Sequence, residues 1–127
     1  MAETPEALRI VVADDAAPAR AILARLIGDL GHEVVAEATD AIGLLTCCSD
    51  LQPDLAVVDG RLPPEGGLVA VESLHRADPD LTILVVASLV EVELLRLALV
   101  AGASGALGRP FLRSQIEATL RRFARTE

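Results

Sequence analysis

Apolar residues in this chain fall into two kinds of run that take turns. Short stretches rich in Val, Ile, Leu and Ala occur at Leu8–Ala13, Glu33–Ala38, Leu55–Asp59 and Leu81–Ala87, and a Gly-rich one at Ala103–Gly108. Brief apolar runs closed by Gly, Pro or Asp read as strands, buried on both faces where no polar alternation breaks them. Between them the apolar positions spread to helical spacing. Ala21, Ile22, Leu26, Ile27 and Leu30 mark a helix that Pro18 can open and Gly31 can close. Asp40 can cap a second helix over 41–50, which Pro53 closes. Leu68, Val71, Leu74 and His75 mark a third, stopping before Pro79. Glu91–Ala101 is a fourth, capped by Gly102. Leu112, Ile116, Leu120 and Phe123 line one face of a last helix, with Arg113, Glu117 and Arg121 opposite.

This is β-α repeated five times with short connections. Such alternation predicts an α/β fold: a doubly wound, five-stranded parallel sheet with helices on both faces and right-handed connections. The order expected is 2-1-3-4-5, as in flavodoxin-like folds. The 127 residues suit a single domain over 1–127, with residues 1–7, polar and carrying Pro5, as a loose tail.

Two strands end in acids. The first runs into Asp14-Asp15 and the third into Asp59. In the order 2-1-3-4-5 these strands are neighbours, and ligands of open α/β sheets bind outside the carboxyl ends of the strands. Three carboxylates in one crevice repel each other unless a cation joins them, and an all-oxygen set suits Mg²⁺. Either acid alone reads as a helix cap or a turn residue. Both on adjacent central strands favour a metal site.

Composition narrows the partners. Net charge is −8, which argues against direct nucleic-acid binding and fits a cation or a basic protein. With no Trp or Tyr and only two Phe, the core must be aliphatic. No apolar run is long enough for a membrane span, and MAETPEALR lacks a signal-peptide pattern. The only cysteines, Cys47 and Cys48, are adjacent, so they pack on a helix rather than form a bridge, and the expected location is cytoplasmic. His32 reads as a solvated loop residue. His75 sits near a helix end, where its positive form suits the dipole. The Arg-rich end (Arg121, Arg122, Arg125) reads as a solvated helix terminus.

Three motifs together resemble the receiver domain of bacterial response regulators, the CheY-like superfamily. They are Val-Ala-Asp14-Asp15, Asp59-Gly-Arg-Leu62-Pro63 with Gly67 after it, and Ala101-Gly102-Ala103 followed by Arg109-Pro110-Phe111. The resemblance spans about Leu8 to Arg125. It implies two-component signalling, as a response regulator or a step in a phosphorelay, with Asp59 as phosphoacceptor from a histidine kinase or phosphotransfer protein. It implies Mg²⁺ held by Asp15, Asp59 and the backbone carbonyl of Arg61, with Asp14 reaching the ion through water. It also implies a cis bond at Arg109–Pro110, and a homodimer or partner face on the fourth helix, fifth strand and fifth helix. It implies a domain that signals by protein contact and is no enzyme beyond self-phosphorylation and dephosphorylation on Asp59.

Three positions depart from the family pattern. The usual Thr or Ser is Ala87, whose methyl cannot donate to a phosphoryl oxygen. Ser88 is next, but neighbouring side chains of a strand face opposite ways, so it substitutes only if the strand shifts or ends early. The usual Lys is Arg109, a wider planar fork, and the usual aromatic is Ala106. These departures raise an alternative: a phosphorylation-independent pseudo-receiver that works as a dimerisation or interaction module. A Mg²⁺-dependent phosphatase with Asp59 as nucleophile needs a second acid two residues on, where the chain has Arg61. The fourth helix is apolar nearly all round. Facing Val92, Leu95 and Leu99 to the core leaves Leu94, Leu97 or Ala101 partly exposed, as at an interface. No output domain is visible after the last helix, which fits a stand-alone regulator or a fragment of a longer chain.

Overall fold

The computed structural model describes residues 7–88 and 90–123. Almost all of the expected tail, residues 1–6, lies outside that range. The elements run β1 (Arg9–Ala13), α1 (Ala17–Asp29), β2 (Glu33–Ala38), α2 (Ala41–Leu51), β3 (Leu55–Asp59), α3 (Gly67–Ala77), β4 (Thr82–Ser88), α4 (Val92–Ala101), β5 (Gly105–Arg109) and α5 (Arg113–Phe123). All strand pairs are parallel, as the alternating pattern predicts, and the sheet order is β2-β1-β3-β4-β5, the order expected of a flavodoxin-like fold.

Side-chain alternation divides the core between the two faces of the sheet. Val11, Ala13, Ala56, Val58, Ile83 and Val85 pack with Leu44 of α2, Val71 and Leu74 of α3 and Ala98 of α4. Their neighbours Ile10, Val12, Leu55, Val57, Leu84 and Val86 pack with Leu23 and Ile27 of α1 and Ile116 and Leu120 of α5. Each central strand therefore has no polar face to spare, which is why it reads as a continuous apolar run. The Asp40 side chain accepts from Gly43 N–H at 2.7 Å and caps α2, a contact worth about 1 kcal/mol. The Arg109–Pro110 bond is cis as the resemblance implies, and so is Pro63–Pro64.

Several expectations need correction. β5 starts at Gly105, not Ala103, because the Ala103 N–H closes the end of α4 by bonding the Ala98 carbonyl at 2.9 Å. β4 extends through Ser88. α4 turns a different face inward. Ala98 is buried, Ala101 packs against the same core and Leu94 lies over Gly60, while Val92 is 67% and Leu99 55% exposed. A helix that is apolar on all sides gives periodicity nothing to choose between. The choice falls to the side that meets the glycine of the neighbouring loop. Leu97, Val100, Val92 and Leu99 are left as exposed apolar residues.

His32 is not a free loop residue. It is half-buried, and its Nδ1 accepts from Leu8 N–H at 2.9 Å, tying the start of β1 to the α1–β2 turn. Desolvation lowers its pKa from the usual 6.5. The folded state thus binds fewer protons here than the unfolded chain. The contribution is complete above about pH 6.5 and is lost as pH falls through the lowered folded value. In His32→Asn the amide oxygen can replace Nδ1 without titrating. Thermal melts between about pH 7 and pH 5 should show a flatter dependence of Tm in that variant. Equal slopes would mean that the Leu8 contact does not depend on a neutral imidazole. His75 lays its ring over Gly102, where any Cβ would collide with it. Cys48 is buried in the α2 face, and burial pushes its thiol up to about 11, which suits packing rather than redox chemistry.

Candidate functional site

The register of β1 against β3 pairs Ala13 with Val58, so the next residue of each strand, Asp14 and Asp59, ends side by side at the carboxyl edge. Asp14 N–H still reaches the Ala38 carbonyl of β2 at 3.0 Å, and Gly60 N–H the Val86 carbonyl of β4 at 2.9 Å. Both acids are therefore fixed by the sheet's own ladder. They are the only buried charged residues among the described ones, at 4% and 6% exposure. Asp15, exposed, completes the group: one carboxylate oxygen from each of Asp14, Asp15 and Asp59 lies within 4.8 Å of the others.

Local contacts orient each side chain. Asp14 Oδ1 accepts from Ala16 N–H at 2.8 Å, turning the chain into α1, and Arg20 donates to the Asp14 carbonyl at 2.8 Å. Asp59 Oδ1 accepts from Arg61 N–H at 3.3 Å. The Arg109 guanidinium, from the end of β5, reaches Asp59 Oδ1 at 3.1 Å and Asp14 Oδ2 at 3.4 Å. Burial raises the Asp14 pKa above its usual 3.8. The bond from Ala16 opposes that rise, the charge of Asp59 adds to it, Arg109 lowers it and Asp15 adds a little. The pocket thus concentrates negative charge that one arginine only partly offsets. Oxygen-only donors with unrelieved charge suit a hard divalent cation.

The loop after β3 holds the pocket's floor. Gly67 N–H bonds the Gly60 carbonyl at 3.0 Å, bringing the start of α3 back against the end of β3. Ala87 is buried and paired with Gly108, so its methyl stands at the strand end with no hydroxyl to offer. Ser88 does not join the acids. Its hydroxyl oxygen accepts from Val90 N–H at 3.4 Å, and no hydrogen bond among the described residues links it to Asp59 or Arg109. Ala106 is exposed on β5.

One residue escaped the sequence reading. Glu91 Oε2 accepts from the Arg61 guanidinium at 2.9 Å, and its Oε1 accepts from Ser88 N–H at 3.0 Å. The spacing Ser88-x-x-Glu91 is the signature of a helix-start capping box, so this contact could have been found from the sequence. The contact to Arg61 could not.

Residues 10–121 match the family model for the response regulator receiver domain. The chain belongs to that family. The receiver domain is 28% identical over 117 residues to the chemotaxis protein CheY of Thermotoga maritima, covering 92% of this chain and 98% of that one. It is 31% identical over 99 residues to the response regulator GacA of Pseudomonas aeruginosa, covering 77% of this chain and 46% of GacA. Among solved structures, the receiver domain of NtrX from Brucella abortus superposes with a TM-score of 0.83 at 26% identity, over 90% of this chain and 96% of that one. The signal receiver domain of NarL from Mycobacterium tuberculosis gives 0.85 at 28% identity, over 93% and 96%. No helix among the described residues is long and apolar enough to cross a membrane.

Proposed function

We propose that this receiver domain accepts a phosphoryl group on Asp59 from a histidine kinase or phosphotransfer protein, in a Mg²⁺-dependent step. The observation that carries the reading is Arg109 donating to both Asp59 and Asp14 inside a cluster of three acids. A carboxylate oxygen of Asp59 attacks phosphorus as the bond to the donor's leaving atom breaks. The electron pair leaves with that atom, an imidazole nitrogen in a phosphohistidine donor, and an acyl phosphate remains on Asp59. Asp15, Asp59 and the Arg61 backbone carbonyl would hold Mg²⁺, with Asp14 reaching it through water. Bound there, the ion supplies positive charge to the phosphoryl oxygens during transfer.

This chain's own residues set the rest. Burial keeps water from screening Asp14 and Asp59, and the sheet ladder fixes where the nucleophilic oxygen stands. Arg109, already 3.1 Å from Asp59, is within reach of oxygens carried there. Ala87 gives those oxygens no hydroxyl to bond. Output is by protein contact. Val92 and Leu99 of α4 with Leu112, all exposed, support the α4-β5-α5 face as a surface for a second copy or a partner.

Incubation with Mg²⁺ and acetyl phosphate, followed by intact mass measurement, tests the reading. The expected result is a gain of one phosphoryl group that is absent in Asp59→Asn. Absence of an adduct from a competent donor would favour the phosphorylation-independent interaction module. Continuous release of phosphate from an ester substrate would instead favour a phosphatase.

A further inference from the structure

Glu91 holds together two loops that meet at the pocket. Arg61 lies two residues beyond Asp59, with its N–H already on the Asp59 carboxylate. Its guanidinium donates to Glu91, thirty residues further along the chain, and no hydrogen bond among the described residues joins that side chain to Asp14, Asp15 or Asp59. Glu91 is the better shielded partner, with its side chain 20% exposed against 76% for Arg61. The other carboxylate oxygen holds Ser88 N–H, and Glu91 N–H bonds the Ser88 carbonyl at 3.0 Å. One carboxylate therefore closes the turn that starts α4 and restrains the arginine beside the phosphoacceptor. The turn begins directly after Ala87, where the hydroxyl is missing.

We propose that Glu91 is the positioning residue of this domain's switch: it holds Arg61 off the acid pocket while Asp59 is free and surrenders it when Asp59 carries a phosphoryl group. The inference rests on the phosphorylation reading above. A phosphoryl group brings close to two negative charges and three acceptor oxygens. A guanidinium fork can donate to two of those oxygens at once, whereas it now donates to a single carboxylate oxygen of Glu91. Arg61 has one side chain to give, so Glu91 and the phosphoryl group compete for it. Once Arg61 turns to the pocket, Glu91 loses its cation, and the carboxylate that accepts from Ser88 N–H is no longer tied to the loop after β3. In this chain, the exchange transmits the state of Asp59 to α4 without a hydroxyl at Ala87 or an aromatic at Ala106.

The competition has a measurable sign. Glu91→Gln retains an amide oxygen for Ser88 N–H but gives up the charge that holds Arg61. Beryllofluoride with Mg²⁺, titrated into the full chain and followed by ¹⁹F NMR, serves as the phosphoryl probe. Glu91→Gln should bind it roughly two- to fivefold tighter than wild type, the range set by the strength of an exposed ion pair. The gain should vanish when both chains carry Arg61→Met, as a double-mutant cycle reads directly. Amide hydrogen exchange at Ser88, Val90 and Glu91 in wild type should also quicken on adding the probe. A purely structural Glu91 would produce weaker binding in Glu91→Gln and no dependence on Arg61. If wild type binds beryllofluoride but Glu91→Gln gains nothing, or gains equally without Arg61, the switch proposal is overturned and the pocket reading stands. If wild type takes up no beryllofluoride with Mg²⁺, the pocket reading fails and the switch proposal with it.

Discussion

Gly67→Ala should lower stability by about 3 kcal/mol, among the larger effects of a single methyl group. A Cβ there would lie 2.7 Å from Gly60 Cα and 2.9 Å from the Gly60 carbonyl carbon, and against the Asp59 carbonyl oxygen. All three are backbone atoms, so no rotamer change relieves the contact. The chain would have to open the Gly67–Gly60 hydrogen bond and displace the loop that follows Asp59. Gly28 in α1 is the control, because nothing lies within 4 Å of its Cβ position. Gly28→Ala should be neutral or stabilise by up to ~1 kcal/mol, since alanine loses less entropy in a helix. Urea denaturation of both variants measures the contrast. A Gly67→Ala midpoint equal to wild type would refute the close approach of α3 to β3.

Arg109→Ala should destabilise the metal-free protein by about 2 kcal/mol. It removes the cation facing Asp14 and Asp59, which are 4% and 6% exposed, and leaves two buried like charges. Breaking a fully buried pair costs about 3–5 kcal/mol; the smaller figure allows for the 32% exposure of the Arg109 side chain. Mg²⁺ bound among the three acids would supply the missing charge, so the ion should raise Tm more in the variant than in wild type. Arg109→Lys, which keeps a compact cation in the pocket, should lose less than Arg109→Ala. Melting curves with EDTA and with Mg²⁺ distinguish these cases. The same Tm for Arg109→Ala and wild type in EDTA would show that the pocket needs no counter-charge from β5.

Much of the site was legible because its parts are local. A strand that is apolar on both faces must be central, and an acid directly after it must stand at the sheet's edge. That logic puts Asp14, Asp15 and Asp59 at one edge, the order 2-1-3-4-5 makes their strands neighbours, and their carboxylate oxygens lie within 4.8 Å of one another. The missing hydroxyl at Ala87 followed from the resemblance to the receiver family, and Ser88 engages the α4 turn rather than the acids. The core-facing side of α4, the start of β5, the bond from Leu8 to His32 and the hold of Glu91 on Arg61 were not legible. The start of β5 depends on how α4 ends, and the other three on which atoms meet across long stretches of chain; no periodicity encodes either.

The strand order was an expectation of the flavodoxin-like fold, whereas the sequence by itself determined the five β-α units and the edge at which the acids collect. Those features follow from side-chain period and turn chemistry, which act over a few residues. Tertiary structure alone decided which side of α4 fits over Gly60 and where the Arg61 side chain goes. Several apolar faces of α4 were equally good candidates for the core, and several acids were equally good partners for Arg61. Only the packing of neighbouring loops makes one of each reachable.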